Sequence, residues 1–336
     1  MPWRAERDAY AIWVSEIMLQ QTRVEAVVPY WERWMTRFPT VTALAEAPLD
    51  DVLQHWAGLG YYARARNLHL AAQDVVAKYG GSLPRTAAEL RQLRGIGPYT
   101  AGAVASIAFG EAAPILDGNV ARVLSRVFVV DGAPEAAATK KRLWQLAAEL
   151  VPAGAASDFN QGLMELGATV CVPENPRCLL CPLRTACGAL AQGRVGELPA
   201  KKRKKPPRVI HAVAVLVARQ GQLLHLRRPP KGLWGGLWEP PWGELASDED
   251  PAQAARRVVA ERTGLAARGI TPVGEHTHQL THRTIHFGVF TATATGQLSD
   301  AAEARWLSTD RDSDVGVATW TRTLIETYVS GKRATS

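Results

Sequence analysis

The cysteines are the sequence feature that most constrains the fold of this chain. All four lie in one short window with the spacing C-x6-C-x2-C-x5-C: Cys171, Cys178, Cys181 and Cys187. None is left to form a disulfide elsewhere, and a chain of this size has a core large enough to make bridges unnecessary. The spacing therefore indicates a metal site, and four thiolates suit either a structural zinc ion or an iron–sulfur cluster.

Length and charge bound the class of protein. At 336 residues the chain is long enough for two domains, and its net charge of +7 favours a polyanionic partner. No stretch approaches the roughly 18 uncharged apolar residues of a membrane span, and the N-terminus has no apolar signal core. We therefore expect no membrane partner and an intracellular protein, either cytoplasmic or associated with the nucleoid.

The residue pattern changes after a basic, proline-flanked segment. Residues 1–197 show helical periodicity without a convincing strand, and residues 198–208 read LPAKKRKKPPR, which is typical of a linker. Residues 209–330 combine alternating valines, a hairpin turn and a helix that ends at Gly264. The sequence predicts an all-α domain, a linker and an α+β domain.

A glycine turn at residues 93–119 precedes a helix of small residues. We expect Gly95 and Gly97 to adopt positive φ and Pro98 to begin the helix, so that outward N–H groups could bind a phosphate. Asp117 follows this helix and could meet the same ligand. Taken alone, the turn is equally consistent with an ordinary helix connection.

Two further segments carry candidate functional residues. Residues 8–21 predict a largely buried helix that contains Glu16, and burial disfavours the ionised carboxylate, so Glu16 could act as an acid. The alternative is that Glu16 pairs with an arginine or caps a neighbouring helix. Residues 58–66 place two aromatic residues and two arginines after a glycine turn, a composition that suits wedging between bases and holding phosphates.

These features together resemble a known enzyme family. Residues 93–119 look like the helix-hairpin-helix element of DNA glycosylases, and the cysteine window is similar to that of their iron–sulfur branch. The segment WVSEIMLQQT at residues 13–22 narrows the resemblance to MutY-type adenine DNA glycosylases, which remove adenine mispaired with 8-oxoguanine. The resemblance implies a 4Fe-4S cluster on the four cysteines.

The resemblance also implies catalytic roles. Glu16 would protonate adenine and later activate water, Asp117 would stabilise the cationic sugar or a transient adduct, and Asn119 would orient the pair. Tyr99 occupies the place where endonuclease III-type enzymes carry a lysine that attacks the sugar. Because a phenol cannot form an imine, we expect a monofunctional glycosylase.

Residues that contact DNA follow from the same resemblance. Gln21 and Tyr61 would insert into the duplex, and Thr22 would lie near the opposing base. Gln161 and Arg4 would lie near the flipped adenine, whose extrusion requires fillers for the vacated stack. The hairpin glycines Gly95 and Gly97 would approach the phosphate backbone.

The second domain resembles a Nudix fold but departs from it at two positions. Val258 and Arg262 replace carboxylates that would bind a metal ion, so we expect binding without pyrophosphate hydrolysis. Leu280, Thr281 and His282 align with a Phe-Ser-His loop that reads 8-oxoguanine in the family. Thr281 keeps a hydroxyl, whereas Leu280 is a wedge without a ring.

The sequence thus predicts a base-excision repair enzyme that binds, as a monomer, double-stranded DNA containing A:8-oxoG or A:G mispairs. The alternatives are an endonuclease III-like glycosylase/lyase and a nonenzymatic lesion-binding protein; Val258 and Arg262 disfavour a Nudix hydrolase. The chain begins MPWR, where members of the family usually carry a further helix, so either its start is late or that helix is lacking.

Overall fold

The computed structural model describes residues 2–4, 8–200, 206–230, 232–299, 303–308 and 315–329, without the side chain of Arg4. By its internal contacts the chain divides into two compact units. The first comprises Met1–Glu46 and Asn67–Lys204, and the second comprises Ala47–Arg66 and Lys205–Ser336. None of the helices in the described part is long and apolar enough to cross a membrane.

The described chain up to residue 200 contains α-helices and short 3-10 turns that are joined by loops. In order the α-helices are α1 Ala9–Met18, α2 Val24–Arg37, α3 Val41–Glu46, α4 Leu49–Trp56, α5 Ala63–Tyr79, α6 Ala87–Leu90, α7 Pro98–Phe109, α8 Gly118–Val127, α9 Ala137–Leu150, α10 Ala156–Thr169 and α11 Gly188–Ala191. The 3-10 turns are Pro2–Arg4, Cys178–Leu180 and Arg184–Ala186.

Helix α1 contains the predicted acid, Glu16, and is buried along nearly its whole length. The Asp8 carboxylate caps its start by accepting hydrogen bonds from the backbone N–H groups of Tyr10, at 3.1 Å, and Ala11, at 3.2 Å. The residues from Tyr10 to Met18 are all buried. This confirms that Glu16 lies on a helix enclosed by the core.

The helix-hairpin-helix turn differs in one respect from the prediction. Gly95 has φ +75°, and a Cβ there would lie 2.6 Å from the Asn67 Cβ, so both its conformation and its neighbour require glycine. The positive φ predicted for Gly97 is wrong. Gly97 is the N-cap of α7 with φ −86° and ψ 176°, an extended conformation open to any residue, and Pro98 is the first helical residue as expected.

The core of the helical unit lies between α7, α8, α9 and α10. Small residues on α7 allow this packing: a Cβ on Gly102 would collide with the carbonyl oxygen of Pro114. Helix α7 ends at Gly110, which adopts φ +72° and so forms the left-handed cap that glycine favours. The chain then delivers Asp117 to the start of α8.

The second unit contains a mixed sheet with two further helices, which confirms the α+β prediction. Its elements are β1 Arg208–Arg219, β2 Gln222–Arg227, β3 Trp238–Glu239, β4 Trp242–Glu244, α12 Pro251–Thr263, β5 Ala266–Leu280, β6 Arg283–Thr295, β7 Ala304–Ser308 and α13 Thr319–Tyr328. The sheet runs in the order β3-β2-β1-β6-β5, with β4 paired to β1 and β7 paired to β2. Strands β1 and β6 are parallel and the other pairs are antiparallel.

Packing explains the departure from the Nudix pattern. The Val258 side chain is buried in the core against β1, and a Cβ on Gly243 would lie 2.7 Å from it. Arg262 donates to the carbonyl oxygen of Trp242 at 3.4 Å. The nearby carboxylates of Glu249 and Glu261 are both paired with Arg257, at 2.7 and 3.2 Å.

Candidate functional site

One cavity of the first unit collects most of the predicted site residues. Its volume of about 990 Å³ is ample for a nucleoside. The predicted residues that line it are Glu16, Gln21, Thr22, Gly95, Gly97, Tyr99, Asp117, Asn119 and Gln161. Helix α1, the hairpin turn and the starts of α7 and α8 therefore converge on one opening.

Glu16 is held in this cavity by a tyrosine from the hairpin helix. Its side chain is only 6% exposed. The Tyr99 hydroxyl, from the first turn of α7, donates a hydrogen bond to Glu16 Oε2 at 2.7 Å. Beyond it, the same hydroxyl lies 3.4 Å from the sulfur of Met164. A buried carboxyl thus faces the cavity with its orientation fixed by a phenol.

Asp117 is fixed by the start of α8. It is the N-cap residue, and its Oδ1 accepts the backbone N–H of Val120 at 2.7 Å. Its other oxygen, Oδ2, accepts a hydrogen bond from the Asn119 side-chain amide at 3.1 Å. Asn119 therefore orients Asp117, whereas Tyr99 is the residue that orients Glu16.

Sequence reasoning did not identify Arg122, which extends this chain of contacts. Its Nη2 donates to Asn119 Oδ1 at 2.9 Å and to the Gly167 carbonyl at 2.6 Å, and its Nε donates to the Cys171 carbonyl at 2.7 Å. Burial lowers the pKa of Arg122, while the nearby Cys171 and Asp117 act in the opposite direction. The signal for Arg122 was its position three residues after Asn119 on one helix face.

The four cysteines also gather around one cavity. Cys171, Cys178, Cys181 and Cys187 line it together with Arg126, and all four are free thiols. Burial raises the pKa of the Cys178 thiol, and the other three thiols raise it further. Close thiols that resist ionisation become thiolates when a cation binds among them, so this donor set fits a metal-containing group.

Arg126, another residue that sequence reasoning missed, anchors the cysteine loop. Its buried guanidinium donates to the carbonyl oxygens of Val172 at 2.8 Å, Pro173 at 3.1 Å and Leu198 at 2.9 Å. It also lies 3.3 Å from Cys171 Sγ. One arginine therefore joins the two ends of the segment that contains the cysteines.

The two residues predicted to insert into DNA share an unusual backbone conformation. Gln21 has φ +59° and Tyr61 has φ +48°, values that residues other than glycine rarely adopt. Gln21 is exposed and lines the cavity of the first unit. Tyr61 belongs to the second unit and is 47% exposed. Such strain is found mostly at functional positions.

The arginines beside Tyr61 donate hydrogen bonds to backbone carbonyl groups. Arg64 donates to the carbonyls of Leu59 and Gly60, each at 3.1 Å, and burial lowers its pKa to about 10. Arg66 donates to the carbonyl of Gly235. Arg64 thus supports the backbone of its own loop, whereas Arg66 binds the chain that precedes β3.

The segment predicted to read the lesion is a tight turn between two strands. Leu280 is the last residue of β5, and Thr281 and His282 are exposed in the turn before β6. The Thr281 hydroxyl lies 2.6 Å from the Tyr61 hydroxyl. Two residues that were predicted separately therefore form one contact in the second unit.

The remaining predicted residues belong to the adenine pocket. The Gln161 amide donates to Ser157 Oγ at 3.1 Å, so its orientation is set within α10. Arg4 belongs to the turn Pro2–Arg4, and its side chain lies outside the described residues. Residues 201–205 of the predicted linker are also outside them.

Comparison with known proteins gives consistent results for both units. Residues 14–149 match the HhH-GPD superfamily base excision DNA repair protein model, and residues 212–327 match the NUDIX domain model. Adenine DNA glycosylase of Homo sapiens is 36% identical over 387 residues, covering 98% of this chain and 71% of the human protein. Adenine DNA glycosylase of Arabidopsis thaliana is 37% identical over 353 residues, covering 89% of this chain and 56% of the plant protein.

A solved structure shows the same helical fold. A thermostable thymine-DNA glycosylase superposes with a TM-score of 0.51 at 32% identity, covering 57% of this chain and 88% of that protein.

Proposed function

Because the chain belongs to the adenine DNA glycosylase family of base-excision repair enzymes, we propose that it hydrolyses the N-glycosidic bond of adenine paired with 8-oxoguanine or guanine in duplex DNA. In this proposal it works as a monomer inside the cell, in the cytoplasm or at the nucleoid, and leaves the DNA backbone uncut. The observation that carries the proposal is the Tyr99–Glu16 hydrogen bond of 2.7 Å inside the cavity.

Glu16 supplies the proton that adenine needs in order to leave. Adenine is a poor leaving group as an anion, and a buried acid can protonate its ring during bond cleavage. The sugar then becomes a cation, and Asp117 provides a carboxylate to stabilise it, as in glycoside hydrolysis generally. After base departure, Glu16 is placed to accept a proton from the attacking water.

Tyr99 determines that the reaction stops at base removal. A strand-cutting enzyme needs an amine that forms a Schiff base with the sugar, and the residue beside Glu16 is a phenol. Tyr99 instead orients the acid. The endonuclease III-like alternative would need an amine from elsewhere in this cavity, and its described lining contains no lysine.

A glycosylase assay tests the proposal directly. The substrates are duplexes with A:8-oxoG, A:G and A:T pairs, each analysed with and without alkali. We expect breaks at the first two only after alkali, and a loss of about 10² to 10⁴-fold in Glu16→Gln. The control is Glu149→Gln, which changes an exposed carboxylate of α9. Breaks without alkali, or efficient borohydride trapping, would contradict the proposal.

Recognition of the mispair in this proposal uses the predicted DNA-contacting residues. Gln21 and Tyr61 fill the stack that the extruded adenine vacates, Thr22 contacts the opposing base, and Gln161 and Arg4 contact the adenine. The hairpin around Gly95 and Gly97 approaches the phosphate backbone; its support is the start of α7, where backbone N–H groups are available.

The Leu280–Thr281–His282 turn reads the 8-oxoguanine in this proposal. Its support is the exposure of Thr281 and His282 at the tip between β5 and β6. Double alanine substitution of these two residues is expected to slow cleavage of A:8-oxoG more than cleavage of A:G. Equal losses on both substrates would refute this role.

A 4Fe-4S cluster on the four cysteines is part of the same proposal. Among the described residues, no three His, Cys, Asp or Glu side chains are grouped closely enough to hold a single metal ion. The support for the cluster is that the four thiols line one cavity and that their spacing resembles the iron–sulfur branch of the family. A cluster held there would brace the loop. Iron and sulfide analysis of the purified protein tests this.

The domain boundaries in this proposal are 1–197 for the helical region with the hairpin at 93–119 and the cysteine loop at 171–187, 198–208 for the linker, and 209–330 for the Nudix-like domain.

A further inference from the structure

A short helical segment belongs by its contacts to the second unit, although its sequence lies inside the helical domain. Residues Ala47–Arg66 fall within the range matched by the glycosylase family model, yet they cluster with the sheet. This segment contains α4 and the loop with Tyr61. The residue proposed to wedge the duplex is therefore carried by the unit that is proposed to read the lesion.

An ion pair attaches this segment to the sheet. Arg227, the last residue of β2, donates from Nη2 to Asp50 Oδ1 at 2.9 Å, and the two side chains are 21% and 22% exposed. The other terminal nitrogen, Nη1, lies 2.8 Å from Glu303 Oε1, so one guanidinium bridges two carboxylates. Only one of those carboxylates, Asp50, lies on the segment that carries Tyr61.

Close backbone packing supports the same attachment. A Cβ on Gly316 would lie 2.8 Å from the Leu53 Cβ, so α4 approaches the chain before α13 at a distance that only glycine allows. Arg66, at the other end of the segment, donates to the Gly235 carbonyl. The segment is thus fastened at both of its ends.

Hydrogen bonds within the loop between these ends connect the position of α4 to the position of Tyr61. The Trp56 indole donates to the Gly60 carbonyl at 3.0 Å, and Arg64 donates to the carbonyls of Leu59 and Gly60. Tyr61 then contacts Thr281 at 2.6 Å. A displacement of α4 would therefore move Tyr61 away from Thr281.

We propose that the Asp50–Arg227 ion pair is a specificity determinant, which positions Tyr61 against Thr281 so that wedge and lesion reader form one preassembled surface. The inference rests on the proposed function for the roles of Tyr61 and Thr281. Asp50 and Arg227 are positioning residues that need not touch DNA.

The test compares two variants that each remove one partner of the same guanidinium. Asp50→Asn is nearly isosteric and removes the charge that attaches the segment to Arg227, whereas Glu303→Gln removes the equivalent charge without touching the segment. The first measurement is the ratio of single-turnover rates on A:8-oxoG and A:G duplexes. A partly buried ion pair predicts a fall in this ratio of about fivefold for Asp50→Asn and no change for Glu303→Gln.

The second measurement reports on the wedge without chemistry. In a Glu16→Gln background, a 2-aminopurine beside the 8-oxoguanine brightens when it is unstacked, and we expect Asp50→Asn to reduce this signal severalfold. Gly316→Ala, which presses on Leu53, displaces the same segment independently and should act in the same direction. Asp50→Glu keeps the charge and should restore part of the signal.

The outcomes separate the two ideas. If the native protein removes no adenine from any duplex, the proposed function has failed. The other case is a native protein that is active while Asp50→Asn and Gly316→Ala both give the same rate ratio and the same fluorescence as Glu303→Gln. That result overturns the inference and leaves the proposed function standing.

Discussion

Replacing Gly167 with alanine should separate catalysis from stability. Gly167 lies on α10, where a Cβ would meet Asn119 at 2.6 Å from its Cβ and 3.0 Å from its carbonyl carbon and oxygen. The carbonyl of Gly167 also accepts the Arg122 guanidinium at 2.6 Å. Because two of the three clashing atoms belong to the backbone of Asn119, rotation of a side chain cannot relieve the clash.

The size of the effect follows from the displacement. Ordinary contact begins at 3.4 Å, so Asn119 must move by nearly 1 Å. Asn119 holds Asp117 through its side-chain amide, and a misplacement of about 1 Å in a catalytic group can cost roughly 10²-fold in rate. Overpacking costs about 1–3 kcal/mol, but alanine recovers roughly 1 kcal/mol of helix propensity. We therefore expect a large loss in rate with a net destabilisation of at most about 2 kcal/mol.

The assay is single-turnover cleavage of an A:8-oxoG duplex, together with the affinity for a duplex that carries an uncleavable adenosine analogue. The rate should fall while the affinity stays within about twofold, because the change affects the transition state. The matched control is Gly162→Ala on the same helix, where a Cβ meets nothing within 4 Å. It should retain the native rate and gain about 1 kcal/mol in stability.

Native cleavage by Gly167→Ala would refute this reasoning, since it would mean that the position of Asn119 does not limit the reaction. An equal fall in rate for Gly162→Ala would also refute it, because the loss would then be a property of the helix and not of the contact.

Three further changes test other parts of the molecule. Glu239 is fully buried, and this burial raises its pKa from 4.5 to about 7. Because the folded state then binds a proton that the unfolded state has released, the free energy of unfolding should fall by on the order of 3 kcal/mol as the pH rises through this range. Glu239→Gln should flatten this part of the pH profile of stability, and an unchanged profile would contradict the argument. Arg126→Gln removes the guanidinium that joins Val172 to Leu198. The iron content per chain and the protease resistance of the cysteine loop should therefore both fall. An iron content equal to that of the native protein would show that this anchor is dispensable. Tyr99→Lys places an amine beside Glu16, so the variant should form a covalent complex with DNA that borohydride traps. If the variant still removes the base but no complex is trapped, the side chain at this position does not reach the sugar.

Local sequence patterns were sufficient for the parts of the site that depend on one element each. The apolar surroundings of Glu16 are properties of α1 itself, and all its residues from Tyr10 onward are buried as the pattern indicates. The cysteine spacing likewise predicts a shared cavity, because the four residues are close in the chain. The α+β character of the second unit follows from the alternation of valines with small residues along β1 and from the turn after it. Both residues of that turn, Gln220 and Gly221, have positive φ.

The sequence could not predict features that depend on contacts between distant segments. The attachment of Asp50 to Arg227 joins residues 177 positions apart, and neither position has a distinctive local pattern. Strand β5 was not predicted because its apolar residues do not alternate regularly with polar ones and none of its fifteen residues is buried. Gly97 was misjudged because a Gly-x-Gly turn does not reveal which glycine needs positive φ; the N-cap role of Gly97 requires an extended backbone.

Helix α8 explains why the cysteine loop and the cavity that contains Glu16 and Asp117 should respond to one another. Its N-cap is Asp117, Arg122 in its middle donates to the Cys171 carbonyl, and Arg126 near its end lies 3.3 Å from Cys171 Sγ. A helix of ten residues is about 15 Å long and rigid over that length, so a movement of the cysteine loop tilts the whole element. The carboxylate at its start would move by a comparable distance, because Asp117 is hydrogen-bonded to the first turn of α8 through Val120. The cysteine loop can therefore influence base removal without contacting adenine, through the orientation of a single helix.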